Sequence, residues 1–70
     1  MTEVVSPITG SVWKIVAQAG TQLNEGDAIV ILESMKMEIK VKAPHDGIVV
    51  EIKIREGDSI LEDDVVAIIE

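Results

Sequence analysis

The sequence predicts an all-β domain, a small sandwich or flattened barrel, on three observations. Its apolar residues are mainly Val, Ile, Leu and Ala, with Trp13 as the only aromatic residue, and β-branched side chains favour pleated, half-buried surfaces. Short apolar or alternating runs are separated by turns that contain glycine or proline. No apolar pattern with a 3.6-residue period continues long enough for a helix. Because 70 residues leave no room for a second domain, we expect one domain over residues 1–70.

Four runs in the first part of the chain have strand patterns, in the order residues 2–5, 11–17, 28–32 and 38–42. In the second run the apolar positions Val12, Ile15 and Ala17 depart from alternation by one residue, as a β-bulge would require. The same departure recurs at Val49, Ile52 and Ile54, so a second bulge is predicted there. Trp13 lies in this run, and we expect it to be a partly buried structural residue. Between the first two runs, Pro7 and Gly10 predict a turn in which the glycine is free to take a positive φ. The pair Gln22-Leu23 is too short to be assigned as a strand.

The second half of the chain repeats the first at a constant shift. Pro44 and Gly47 repeat Pro7 and Gly10, which sets the shift at 47 − 10 = 37 residues. The same shift aligns further identical pairs: Val4/Val41, Val12/Val49, Ile15/Ile52, Gly20/Gly57, Glu25/Glu62, Asp27/Asp64, Ile31/Ile68 and Glu33/Glu70. Each half supplies about four short strands and cannot bury its apolar face alone, so the two halves are expected to pack on each other about a pseudo-two-fold axis.

Residues 33–38, Glu-Ser-Met-Lys-Met-Glu, join two strand patterns and predict a β-hairpin whose tip lacks the usual Asn-Gly or Asp-Gly. The counterpart of Lys36 would be position 36 + 37 = 73, past the last residue, so this lysine lies in the link between the repeats. A duplicated scaffold with one lysine at its joint indicates a platform that presents an amine. The two-fold relation also predicts that the chain ends lie beside each other, on the side opposite Lys36.

Composition argues against several other functions. The formal net charge of −7 disfavours nucleic acid and anionic membranes as partners, since both require clustered Lys and Arg. There is no cysteine, which fits a cytoplasmic protein and excludes a thiolate metal site, and His45 has no second histidine or cysteine with which to share a metal. No 18-residue apolar span, signal pattern, Ser-His-Asp set or phosphate loop is visible. We therefore predict no metal site and no enzyme active site.

Residues 33–37 resemble the Glu-(Ala/Ser)-Met-Lys-Met motif of the biotin/lipoyl attachment family, and the resemblance covers essentially the whole chain. It implies a barrel-sandwich hybrid, a flattened β-barrel of two four-stranded antiparallel sheets. It also implies that a biotin protein ligase attaches biotin to Lys36 through an amide bond. The expected recognition residues for that ligase are Glu33, Ser34, Met35, Met37 and Glu38. Without the protruding segment that some carriers insert, the chain resembles the short, thumbless form, free-standing if Met1 is the native start.

The resembling carriers pass carboxyl groups from a biotin carboxylase to a carboxyltransferase and contribute no catalytic group. Lipoate is the alternative cofactor, but lipoyl domains usually carry Asp-Lys-Ala at the tip, so Met35 and Met37 favour biotin. The two methionines could instead pack locally on the turn, although flexible thioethers also suit recognition surfaces. An unmodified interaction domain of the same fold, as in some membrane-fusion adaptor proteins, is the remaining alternative.

Overall fold

The computed structural model describes residues 1–70, which form eight strands and no helix. The strands are β1 (Thr2–Val5), β2 (Gly10–Ile15), β3 (Gln22–Leu23), β4 (Ala28–Ser34), β5 (Met37–Lys42), β6 (Gly47–Ile52), β7 (Ser59–Ile60) and β8 (Val65–Ile69). They build two four-stranded antiparallel sheets, ordered β1-β8-β6-β3 and β5-β4-β2-β7. The predicted all-β architecture is confirmed. The structure contains no helix of the length and apolarity that a membrane crossing requires.

The internal repeat appears in the structure as a two-fold exchange of strands. Replacing each strand by its counterpart 37 residues away turns one sheet order into the other, because β1, β2, β3 and β4 exchange with β5, β6, β7 and β8. Hydrogen bonds between the halves repeat as well: Gly20 N–H donates to Val49 O at 2.8 Å, and Gly57 N–H donates to Val12 O at 2.8 Å. Each half therefore completes the backbone hydrogen bonding of the other, and the predicted duplication is confirmed.

Both predicted bulges are present at equivalent places. The β2–β4 register shifts between Val12 and Lys14, which leaves Trp13 as the extra residue, and the β6–β8 register shifts between Val49 and Glu51. An extra residue in one strand bends that strand and interrupts the ladder locally. Trp13 is 52% exposed, so it is more exposed than the partly buried position that we predicted for it.

The core lies between the two sheets and is entirely aliphatic. Its fifteen buried residues are Val4, Val12, Ala17, Leu23, Ile29, Val30, Leu32, Val41, Ala43, Val49, Ile54, Ile60, Val66, Ala67 and Ile69. The strands β4 and β8 are each flanked by two others and contribute the most completely buried side chains. Ser6 is the one buried polar residue, and its hydroxyl donates to the carbonyl oxygen of Ile8 at 2.6 Å. An aliphatic core that joins both halves fixes the position of the β4–β5 hairpin.

Candidate functional site

The β4–β5 hairpin ends in a two-residue turn made of Met35 and Lys36. The strands pair without a shift from Val30 and Val41 up to Ser34 and Met37. The φ angles at Met35 and Lys36 are 52° and 66°. Two positive φ values are the signature of a type I′ turn, whose twist matches that of the flanking strands. Side chains with a Cβ adopt this conformation at a cost of roughly 1–2 kcal/mol per residue. The predicted hairpin is confirmed, and its tip is a strained turn that the strand pairing holds in place.

Lys36 is exposed at this tip and has no charged partner in the protein. The only ion pair of the structure joins Lys53 and Glu51 at 3.1 Å, elsewhere on the surface. No cluster of three or more His, Cys, Asp or Glu side chains forms a metal site. Two open clefts indent the surface, but neither is lined by a residue of the hairpin tip. The lysine amine is therefore accessible to another protein, without an enclosed substrate pocket around it.

Two glutamates flank the turn as a cross-strand pair. Glu33 and Glu38 are directly opposite each other in the register, and both are exposed. The next pair, Leu32 with Ile39, lies on the other face of the hairpin and contributes to the core side. Like charges directly opposite each other destabilise an antiparallel pair. The stability of the domain therefore does not explain why both positions are acidic.

The two methionines extend into solvent on either side of Lys36. Met35 is 92% exposed and Met37 is 62% exposed, and neither belongs to the core cluster. Local packing, the alternative that the sequence left open, therefore does not account for Met35. Ser34 differs from them, because it is half-buried beside the start of β2. The tip thus places five of the six predicted site residues in solvent: Glu33, Met35, Lys36, Met37 and Glu38.

Gly10 positions this hairpin, a role that the sequence analysis missed. A Cβ at this residue would lie 2.6 Å from the carbonyl oxygen of Glu33 and 3.3 Å from the Cβ of Ser34. Its φ is not in the left-handed region, so the freedom to take a positive φ is not used here, and glycine is required by close approach instead. Gly47 meets the carbonyl of Glu70 in the equivalent way. The recurrence of glycine at both positions, 37 residues apart, was the feature of the sequence that could have indicated this role.

The chain ends lie together at the far end of β5 from Lys36. Thr2 pairs with Ile69, and the Thr2 hydroxyl is hydrogen-bonded to Nε2 of His45 at 2.8 Å. His45 follows the end of β5, whose six residues span about 17 Å at the rise of an antiparallel strand. The predicted placement of the termini opposite the lysine is therefore confirmed. Both ring nitrogens of His45 are used in hydrogen bonds, because Nδ1 also lies 2.7 Å from the carbonyl oxygen of Asp46.

Comparison with known proteins identifies similar chains. The profile of the family described as "Biotin-requiring enzyme" matches residues 1–69. The chain is 48% identical over 58 residues to the Biotin/lipoyl attachment protein of Bacillus subtilis, covering 83% of this chain and 80% of that protein. It is 43% identical over 67 residues to the Biotinylated protein TB7.3 homolog of Mycobacterium leprae, covering 96% and 94% of the two chains. The crystal structure of the Kluyveromyces lactis urea carboxylase matches with a TM-score of 0.94 and 38% identity over 99% of this chain, which corresponds to 6% of that enzyme.

Proposed function

The chain belongs to the biotin/lipoyl attachment family, and we propose that it is a non-catalytic carrier with biotin attached through an amide bond to Lys36. In this proposal the biotin moves carboxyl groups from a biotin carboxylase to a carboxyltransferase. The observation that carries the proposal is the strained two-residue turn that exposes Lys36 at the link between the repeats. An exposed lysine alone is common. A two-residue turn in this register takes positive φ whatever its residues, and Asn-Gly or Asp-Gly is usual there, so the presence of Met35 and Lys36 needs a reason beyond turn formation.

The surroundings of Lys36 support attachment by a separate enzyme. An amine attacks an activated acyl group only when neutral, and an ordinary lysine is almost fully charged at neutral pH. No side chain near Lys36 is arranged as a general base, and no pocket surrounds its amine. A biotin protein ligase must therefore supply the activated acyl group and accept the proton. The amide forms when Nζ attacks the acyl carbon and the activating group leaves.

The remaining predicted site residues surround that amine as recognition elements. Met35 and Met37 offer apolar, adaptable contacts that the domain does not use for its own packing. Glu33 and Glu38 offer a paired negative charge to a basic surface of the ligase. Ser34 acts differently, as the small residue that fits against Gly10. Recognition is thus assigned to side chains whose exposure or charge the fold itself does not explain.

The carrier role follows from the shape of the domain. Its Cα atoms extend over 30 × 18 × 17 Å, and Lys36 and the chain ends lie at opposite ends of β5. If the domain is tethered near its termini within a carboxylase, the biotin points outward and visits two active sites at high effective concentration. The similarity to a urea carboxylase over 99% of this chain supports carboxylase partners.

The absence of cysteine fits a cytoplasmic location, which we include in the proposal.

Lipoate is the second candidate cofactor, because the name of the Bacillus subtilis relative covers both groups. The turn geometry suits either amide. We favour biotin because Met35 and Met37, rather than Asp and Ala, flank the lysine. The third alternative, an unmodified interaction domain, does not explain why Met35 and Lys36 occupy a strained turn.

The test is the intact mass of the chain after expression with its native ligase, compared with the Lys36→Arg variant. We expect one biotin on the wild-type chain and none on the variant, since arginine keeps the charge but is not acylated. Both chains should melt at the same temperature, because Lys36 is exposed and makes no ion pair. Lys14, Lys40, Lys42 and Lys53 are the internal controls. Streptavidin binding by Lys36→Arg would contradict the assignment of the site.

A further inference from the structure

We propose that Met35 and Met37 are an oxidation site that controls the modification of Lys36. Conversion of their thioethers to sulfoxides would slow the action of the ligase on the lysine between them. The inference rests on the proposed function, since it assigns a regulatory chemistry to the same site. Its basis is exposure: the two side chains on either side of Lys36 are 92% and 62% exposed, and neither is part of the core.

The chemistry requires only a peroxide as oxidant. The thioether sulfur attacks one oxygen of hydrogen peroxide, the O–O bond breaks, a sulfur–oxygen bond forms and water leaves. Sulfur is oxidised by two electrons and the peroxide is reduced by two, so no further reactant is needed. The chain has no cysteine, so no thiolate of this protein competes for the oxidant. Methionine sulfoxide is reversible by dedicated reductases, which makes the site a switch.

Oxidation changes the recognition surface while leaving the fold intact. A sulfoxide converts a flexible apolar side chain into a polar, chiral one. Placing that polar group in a surface shaped for a thioether is expected to slow modification by about tenfold, from the usual cost of burying an unpaired polar group. Because both methionines are outside the core, the melting temperature of the domain should not change.

Met1 provides an internal control for exposure. Met1 is 90% exposed, nearly as exposed as Met35. It precedes β1, however, and therefore lies at the end of the molecule away from Lys36. These three are the only methionines of the chain. Peroxide should therefore oxidise Met1 and Met35 at similar rates and Met37 more slowly. Only the two at the hairpin tip should influence the lysine.

The experiment treats the full chain with graded hydrogen peroxide, assigns oxidation at each methionine by peptide mass, and then measures the rate of labelling by a biotin protein ligase. We expect the rate to fall with oxidation at residues 35 and 37 and to recover after treatment with methionine sulfoxide reductases. Met35→Leu and Met37→Leu, singly and together, should reduce the sensitivity to peroxide, although Met1 is still oxidised in them. Reductase rescue of the wild-type chain keeps the test decisive where a leucine variant is itself labelled slowly.

The outcomes separate this inference from the proposed function. An unoxidised chain that the ligase does not label contradicts the carrier proposal and the switch together. A chain that is labelled before oxidation, and at the same rate afterwards, contradicts only the switch. A loss of labelling that follows Met1 oxidation, or that accompanies a lower melting temperature, also overturns the switch, because the effect would then arise away from the hairpin tip.

Discussion

The contact between Gly10 and the end of β4 allows a direct test of how the fold positions Lys36. In a Gly10→Ala variant, the new Cβ would lie 2.6 Å from the carbonyl oxygen of Glu33, too close for any carbon–oxygen contact. The atom in the way belongs to the backbone, so the strand itself must move. Because Glu33 comes two residues before the turn, this movement should displace Lys36 from the geometry that the ligase requires.

The magnitude follows from the cost of overpacking. Inserting a methyl group into a site without space costs roughly 1–3 kcal/mol, of which about 0.4–1 kcal/mol is offset because alanine restricts the unfolded chain more than glycine does. We therefore expect Gly10→Ala to lower the free energy of unfolding by about 1–2 kcal/mol. For a domain of this size each kcal/mol shifts the melting temperature by about 4–8 °C.

Gly47→Ala is the matched control. Its Cβ would collide with the carbonyl oxygen of Glu70, the equivalent contact in the other half, which lies at the chain ends away from Lys36. Both variants should lose comparable stability, measured by thermal unfolding followed with circular dichroism. Only Gly10→Ala should be labelled several-fold more slowly at a temperature where both are folded. Equal labelling rates would refute the positioning role, and an unchanged melting temperature of Gly10→Ala would refute the steric reasoning.

Three further predictions concern the hairpin and the turn chemistry. Combining Met35→Asp with Met37→Ala should lower biotinylation and raise lipoylation when both ligases compete for the chain, and an unaltered preference would place cofactor selection elsewhere on the surface. Moving the lysine by one position, as Met35→Lys or Met37→Lys combined with Lys36→Met, should abolish labelling with little loss of stability, because the turn geometry and the strand register fix a different side-chain direction at each of these positions. Labelling of either shifted lysine at the wild-type rate would show that the ligase does not require the turn geometry at position 36. Gly26→Ala should destabilise the domain by about 1 kcal/mol through its left-handed backbone alone, since nothing lies within 4 Å of the added Cβ at φ 89°. Chemical denaturation measures that loss, and an unchanged midpoint would contradict the strain.

The two-fold repeat explains how a 70-residue chain presents one lysine, Lys36, at the tip of a hairpin. Each half lacks partners for its strands, so a core shared by both halves is the condition for folding. The duplication creates two equivalent strand pairs, β4 with β5 and β8 with β1. The first is closed by the turn at Lys36, and the second is left open by the chain ends. One symmetric scaffold therefore places Lys36, the proposed modification site, at one end and the two chain termini at the other.

The local pattern of residues was sufficient for much of this architecture. Aliphatic runs with glycine turns, repeated after 37 residues, predicted the strands and the two-fold relation, because both depend on side-chain spacing that can be read along the chain. The same spacing located both bulges and placed Lys36 in the link between repeats. The assignment of β2 to residues 11–17 was less accurate. The strand begins at Gly10 and ends at Ile15, after which the N–H groups of Val16 and Ala17 both donate to the carbonyl of Ile29.

Only the tertiary structure decided the features that depend on residues distant in sequence. Gln22–Leu23 is a strand because Gly47 and Ile48 of the other half pair with it. A pattern of two residues is too short to predict that pairing. The role of Gly10 depends on the backbone of Glu33, which reaches it across the sheet. The positive φ angles at the tip follow from the β4–β5 register, since the paired strands leave two residues to reverse the chain. The sequence therefore determined which lysine stands apart, whereas the packing of the two halves determined how that lysine is held.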